Sequence, residues 1–402
     1  MHNPPPARLI DVTRLLRRSG RMLTGVDRVE LAYLQELLQG DVALWGMART
    51  PLGYVLLDRT GLAQFAAAVT GARPFGPPDL LSRLSRRQHP TVRAAQSDLR
   101  RWAVARCMPR GLARMLVRHL PEGTAYLNLG HSNLTERVFE AVRAVAQARI
   151  TVFIHDIIPL THPQFQRPGT VAPFEAKLAR VQRYADLILY NSDDTRRQTE
   201  AWMQQRGTVP AGIVAHLGTI VVEPDPSALP ARLRFDRPYF VCVGTIEPRK
   251  NHALLLDIWE ALGDRAPPLV IAGSRGWNNA GVFARLDALP EGAPVHEAAG
   301  LSDAALAALV QGAHALLFPS HAEGFGLPAI EAMTLGTPVL CSNIATFGEI
   351  LGDKAVYTDP LDWQLWQSRV VDWSKRSRET LRVTDFDAPT WDAHFKIALS
   401  FT

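Results

Sequence analysis

Short apolar, β-rich runs alternate along this chain with segments whose apolar residues recur every three or four positions. Strand-length apolar runs separated by helix-period segments predict a parallel sheet covered by helices. In the first half the predicted strands are Arg8–Val12, Val42–Ala48, Ala125–Leu129, Thr151–His155, Asp186–Tyr190 and Ile213–His216. Helices are predicted between them at Val26–Leu38, Leu134–Gln147 and Val171–Tyr184. Asn191-Ser-Asp-Asp reads as the start of a further helix, with a small polar cap and acidic residues in the first turn.

The alternation halts at Val222-Glu-Pro-Asp-Pro-Ser-Ala-Leu-Pro, which is proline-rich and without period, and so reads as a linker. It then restarts. Strands are predicted at Tyr239–Gly244, Leu269–Ala272, Ala315–Phe318 and Pro338–Cys341, and helices at His252–Leu262, Asp303–Gln311 and Leu327–Leu335. A chain of 402 residues is too long for one ordinary core. The expected architecture is therefore α/β, with two Rossmann-like doubly wound domains facing across a cleft. Residues 1–221 form the first, 222–238 the linker and 239–385 the second, while 386–402 supply a helix that crosses back to the first.

Composition agrees with a globular protein, at 47% apolar and 21% charged residues. No apolar run is long enough to span a bilayer, and the first residues show no basic region followed by an apolar one, so a cytoplasmic location is expected. Cys107, Cys242 and Cys341 are odd in number and widely spaced, which suggests free thiols in a reducing compartment.

The net charge of +5 is concentrated in one place. Between Leu80 and Leu120 lie ten arginines, among them Arg83, Arg86, Arg87, Arg93, Arg106 and Arg118, opposed only by Asp98. Leucines, Trp102 and Met115 interleave them. Two readings stay open: basic amphipathic helices that meet anionic lipid at the inner face of a membrane, or a solvated face over the first domain's core. The segment has no recognisable nucleic-acid-binding module, and no nucleic acid is expected as a partner.

Open parallel sheets bind ligands beyond the carboxyl ends of their strands. Two loops at such ends carry unusual chemistry. Glu323-Gly-Phe-Gly-Leu-Pro-Ala-Ile-Glu331 follows a strand and enters a helix, with Gly324 and Gly326 permitting close backbone approach and Pro328 suiting the first helical turn. The free N–H groups of that helix start form a phosphate site, and its carboxylates suit hydroxyls on either side. Gly244-Thr-Ile-Glu-Pro-Arg-Lys-Asn251 places Arg249 and Lys250 at another strand end, where fixed cations stabilise a departing diphosphate.

These loops, with the following Gly336-Thr-Pro-Val-Leu-Cys-Ser-Asn and Gly-Glu349, resemble glycosyltransferase family 4, and within it the mannosyltransferases of bacterial polysaccharide assembly. The resemblance implies a GT-B fold and retaining, metal-independent transfer of a hexose from a nucleotide sugar to a glycan or lipid-linked acceptor. GDP-mannose is favoured over a UDP-sugar, and no cofactor or metal is implied. It places Glu323 on the transferred hexose, Glu331 on the donor ribose, and Arg249 and Lys250 on the diphosphate. Gly244, Gly273, Gly324, Phe325, Gly326 and Leu327 complete the donor site. His155, in Thr151-Val-Phe-Ile-His155-Asp156, resembles the family's histidine beside the sugar, with Asp156 on the acceptor side. Gly25 and Arg28, in the first strand–helix loop, are further acceptor-side candidates. One departure is Thr245, where many members have arginine after the glycine; Arg249 is the replacement cation. Trp277 reads equally as donor-pocket lining or as packing. A non-catalytic GT-B scaffold and a sugar-nucleotide epimerase are the competing readings.

Overall fold

The structure is a computed structural model that describes residues 4–84 and 88–402; Arg86, Arg87 and the side chain of Arg83 lie outside the described residues. Two sheets organise the chain. The first contains β1 (Ala7–Asp11), β2 (Ala43–Thr50), β3 (Gly53–Asp58), β4 (Ala105–Cys107), β5 (Ala125–Asn128), β6 (Arg149–Ile154), β7 (Leu187–Tyr190) and β8 (Ala211–Val214). Its order is β4-β3-β2-β1-β5-β6-β7-β8. The pairs β2–β3 and β3–β4 are antiparallel and the others are parallel. The second sheet contains β9 (Phe240–Val243), β10 (Leu269–Ala272), β11 (Val295–Ala298), β12 (Ala315–Phe318), β13 (Val339–Ser342) and β14 (Val356–Thr358). It is parallel throughout, in the order β11-β10-β9-β12-β13-β14.

The central strands form because parallel sheets are covered on both faces, so every residue of β1, β5, β7, β9, β12 and β13 is buried and nearly all are apolar. Four strands depart from the expected set; β3 is a buried apolar strand that the sequence reading passed over, and the other three lack that signal. β3 returns directly after the turn at Pro51-Leu52, antiparallel to β2. β4 and β14 are three residues long, and β11 is Val-His-Glu-Ala at a sheet edge.

The helix Gly25–Gln39 starts with the Asp27 carboxylate accepting the Thr24 N–H at 2.7 Å. Arg14 and Arg18 also bind Asp27, at 2.6 and 3.2 Å, which ties the first strand–helix loop to this helix. At the other end of the chain, the helix Trp391–Ala398 packs on the first domain. His394 is buried there, with Nδ1 3.0 Å from the His216 carbonyl and Nε2 2.8 Å from the Tyr33 hydroxyl. The Arg8 guanidinium donates to the Thr402 carbonyl at 2.8 Å. Among the described residues, no helix is long and apolar enough to cross a membrane.

Burial pushes the His394 imidazole down to about 4, although the two carbonyls beside Nδ1 oppose the shift. An unfolded histidine titrates near 6.5, so below that pH the unfolded chain takes up a proton that the fold refuses. This contribution to stability is therefore complete above about pH 6.5 and is lost as the pH falls towards 4. Urea unfolding at pH 7 and pH 5 should show about 2 kcal/mol lost from this one group. His394→Gln should be less stable at pH 7 and should show a flatter pH dependence between those values.

Candidate active site

In the second sheet β9 and β12 are neighbours, but the chain leaves them in opposite directions, β9 towards β10 and β12 towards β13. Ligands of doubly wound sheets bind at this reversal, beyond the carboxyl ends. The Gly244–Asn251 loop follows β9 and the loop containing Glu323–Gly326 follows β12, so the two sequence-predicted loops meet there. Gly244 and Gly273 sit at the ends of β9 and β10, where the Gly244 N–H donates to the Ala272 carbonyl at 3.0 Å.

At the centre lies Glu323, its side chain 8% exposed. One carboxylate oxygen accepts from Lys250 Nζ at 2.5 Å and the other is 2.7 Å from the Arg249 guanidinium. Arg249 also binds buried Glu247 through Nε at 2.6 Å and donates to the Ala322 carbonyl at 2.9 Å. The Lys250 ammonium stands 4.4 Å from the centre of the Phe318 ring. Burial alone would raise the Glu323 carboxyl, but the charges of Arg249 and Lys250 and their hydrogen bonds outweigh it and hold the group at about 2. Burial lowers the Lys250 ammonium, with Glu323 opposing. Glu323 is therefore a fixed anion. Both cations are already paired, yet each keeps donors: among the described residues, Arg249 Nη2 makes no hydrogen bond and Lys250 uses one N–H of three.

Beside this cluster, the backbone N–H groups of Gly324, Phe325, Gly326 and Leu327 donate to no protein acceptor among the described residues. Gly326 has φ +100°, a left-handed conformation at the N-cap of the helix Leu327–Thr334. Unpaired N–H groups at a helix start form an anion-binding surface. The Phe325 ring is buried, so of this donor-site candidate only the backbone is offered to a ligand.

The first domain closes over the site. A Cβ on Gly324 would lie 2.2 Å from the His155 carbonyl oxygen, so only glycine lets the two backbones approach this closely. Ser192 Oγ donates to the Gly324 carbonyl at 3.0 Å, and Asn191 Nδ2 to the His155 carbonyl at 2.9 Å. His155 is buried, with Nε2 2.7 Å from the Leu129 carbonyl. Burial first, and His131 second, keep its pKa well below the usual value, so the ring is neutral. With Nε2–H donating to Leu129, Nδ1 is left as an acceptor. Asp156 follows; burial holds its carboxyl above the usual value, with the nearby charge of Arg249 opposing the shift.

Further along the cleft, Arg28 reaches Glu331 at 3.0 Å and Asp303 at 3.2 Å. Gly25 starts the same helix and faces Leu327. Arg28, Asp303 and Glu331 border an interdomain cavity of about 620 Å³, walled by Val243, Leu306, Val310, Leu327 and Trp391. Trp277 does not line it. The indole donates to the Phe165 carbonyl at 3.3 Å beneath Arg167, which is a packing role between the domains.

Sequence reasoning missed Glu247 and gave no role to Glu349. Glu349 accepts the N–H groups of Asp193 and Asp194, at 2.6 and 3.0 Å, and binds His216 at 2.8 Å. The helix Asp193–Gln204 is thus capped from the other domain as well as by Ser192. Both glutamates lie inside segments that looked unusual in the sequence, but their partners are not encoded by spacing.

Residues 229–383 match the family described as glycosyl transferases group 1. The match takes in nearly all of the C-terminal domain, including both loops of the cluster. The O-antigen chain mannosyltransferase B of Escherichia coli is 29% identical over 220 residues, covering 53% of this chain and 58% of that protein. The serotype-specific mannosyltransferase WbdA of Escherichia coli is 34% identical over 221 residues, covering 51% of this chain and 27% of that one. The chain thus spans about half, or less, of the length of these relatives. Among solved structures, Anabaena HepE in complex with UDP-glucose superposes with a TM-score of 0.62 at 13% identity, covering 98% of this chain and 96% of that one. The fold of the whole chain is GT-B.

Removing one partner of a buried charge cluster strands the others, at a cost of about 3–5 kcal/mol. Glu323→Ala should lower the unfolding free energy in urea by that amount, and Glu323→Gln by less. A loss no larger than that of an exposed pair, under about 1 kcal/mol, would mean that the two cations do not depend on Glu323.

Proposed function

We propose that this chain is a retaining glycosyltransferase that moves a hexose from a nucleotide sugar to a glycan or lipid-linked acceptor in bacterial surface polysaccharide assembly. The observation that carries the proposal is the buried Glu323, held ionised between Arg249 and Lys250 at the sheet's reversal point and facing His155 and Asp156 of the other domain. Mannose is the favoured sugar, with GDP-mannose before a UDP-sugar, because two mannosyltransferases of Escherichia coli are 29% and 34% identical to about half of this chain.

In this reading the diphosphate lies against the free N–H groups of Gly324–Leu327 and takes the uncommitted donors of Arg249 and Lys250. As the bond from the anomeric carbon to the diphosphate oxygen breaks, charge grows on that oxygen, and these fixed donors stabilise it without reorganising. Glu323 accepts hydroxyl hydrogen bonds from the hexose, as does neutral His155 through Nδ1. The acceptor hydroxyl attacks from the side the diphosphate leaves and passes its proton to the departing phosphate oxygen. No protein base or metal enters that step. Glu331 accepts from the ribose hydroxyls once it shares or releases Arg28, and the base enters the neighbouring apolar cavity.

Thermal unfolding with GDP, UDP or ADP, each with EDTA, tests the donor site. At 100 times its dissociation constant a bound nucleotide adds about 2.7 kcal/mol of stability. One nucleotide should stabilise the wild type, and Glu331→Ala should lose that gain. If none stabilises the wild type at millimolar concentration, the donor-site reading fails. An epimerase would interconvert donor sugars without any acceptor.

A further inference from the structure

The arginine-rich segment divides into two groups in the structure. Arg100 is buried against Asp79 at 2.6 Å, and Arg101 binds Asp98 at 2.5 Å, so these belong to the fold. Arg106, Arg110, Arg114 and Arg118 are exposed, and none makes an ion pair or side-chain hydrogen bond among the described residues. No acidic residue occurs between Asp98 and Glu122. Four unpaired cations without a local counter-charge form a site of strong positive potential.

The same stretch exposes apolar side chains that a solvated face does not need. Met108 is 69% exposed, Val117 52%, Val104 45%, and Leu52 in the β2–β3 turn 43%. In the helix Leu112–His119, Leu112, Met115 and Leu116 are buried, which turns Arg114, Val117 and Arg118 outward. Along β4 the exposure alternates, so Val104, Arg106 and Met108 point away from the core that Ala105 and Cys107 join. Arginines and apolar tips thus flank both sides of the sheet's open edge.

Topology places this edge relative to the cleft. β3 is antiparallel to both β2 and β4, so β4 runs with β2 and with the parallel strand β1. Leu52, Met108 and Arg110 therefore lie at the carboxyl ends of their strands, the end at which His155 follows β6 and meets the other domain.

We propose that Leu52, Val104, Arg106, Met108, Arg110, Arg114, Val117 and Arg118 form a docking surface for an anionic lipid bilayer. Guanidinium groups pair with headgroup phosphates in the forked geometry that arginine favours, and the apolar tips enter the boundary between headgroups and acyl chains. A protein partner would call for aromatic anchors, and the patch has none. The surface stands independently of sugar transfer. With the transfer reading, it sets the carboxyl-end face of the first domain beside the membrane, where a lipid-linked acceptor would enter.

Co-sedimentation of the full chain with vesicles of phosphatidylcholine alone, or with a third phosphatidylglycerol, tests it at low and high salt. Binding should require phosphatidylglycerol and should weaken as salt rises. Replacing Arg106, Arg110, Arg114 and Arg118 together with glutamine should weaken partitioning at least about 100-fold, since each cation near an anionic surface contributes about five-fold. Met108→Asp, a single exposed change, should weaken it with an unchanged melting temperature. Absence of binding to anionic vesicles would overturn the proposal, as would equal binding to neutral vesicles or full binding by both variants. Tight binding of heparin without vesicle binding would assign the patch to a soluble polyanion and would also overturn it.

Discussion

A carboxylate removed from water is costly unless its charge is matched, and Glu323 is matched twice, by Arg249 and by Lys250. This pairing constrains much of the site. It requires the loop after β9 to lie against the loop after β12, which the order of the sheet allows only because these strands are neighbours. It orients Arg249, whose remaining bonds to Glu247 and the Ala322 carbonyl leave one nitrogen uncommitted. It also keeps an anion beside a surface of free backbone N–H groups, so the same small volume offers acceptors and donors to different parts of a ligand.

The two domains are joined by more than the linker. Gly324 lies against the His155 backbone, Glu349 caps a helix of the opposite domain, and Arg28 spans the cleft to Glu331. Burial would raise the Glu349 carboxyl, but His216 and the two capped N–H groups hold it below its usual value. Gly324 reaches the other domain from a strand-end loop, Glu349 and Glu331 from helices. The Trp391–Ala398 helix adds a further connection through His394 and Tyr33.

Much of the fold was legible because strands covered on both faces must be apolar throughout. β9 and β12 carry that pattern without interruption, whereas β4, β11 and β14 do not, being short or edge strands with polar residues. The strand-end loops could be found because glycines and paired cations are rare at that position by chance. Long-range partners were not visible: Arg28 and Glu331 are 303 positions apart, and no periodicity connects them. Phe325 and Trp277 show the opposite limit, since an aromatic residue in a ligand-like loop can be spent on packing. The arginine-rich segment was ambiguous because ion pairing, which separates Arg100 from Arg114, is a property of the fold.

The account rests on Glu323 acting on the sugar while the backbone and cations hold the nucleotide. The most direct measurement is the rate of nucleoside diphosphate release from GDP-mannose in EDTA, for wild type and Glu323→Gln, together with the affinity of each for the free nucleotide. The account predicts release by the wild type and a rate lower by about 10²–10³ in the variant, at comparable nucleotide affinity. Equal rates would contradict it.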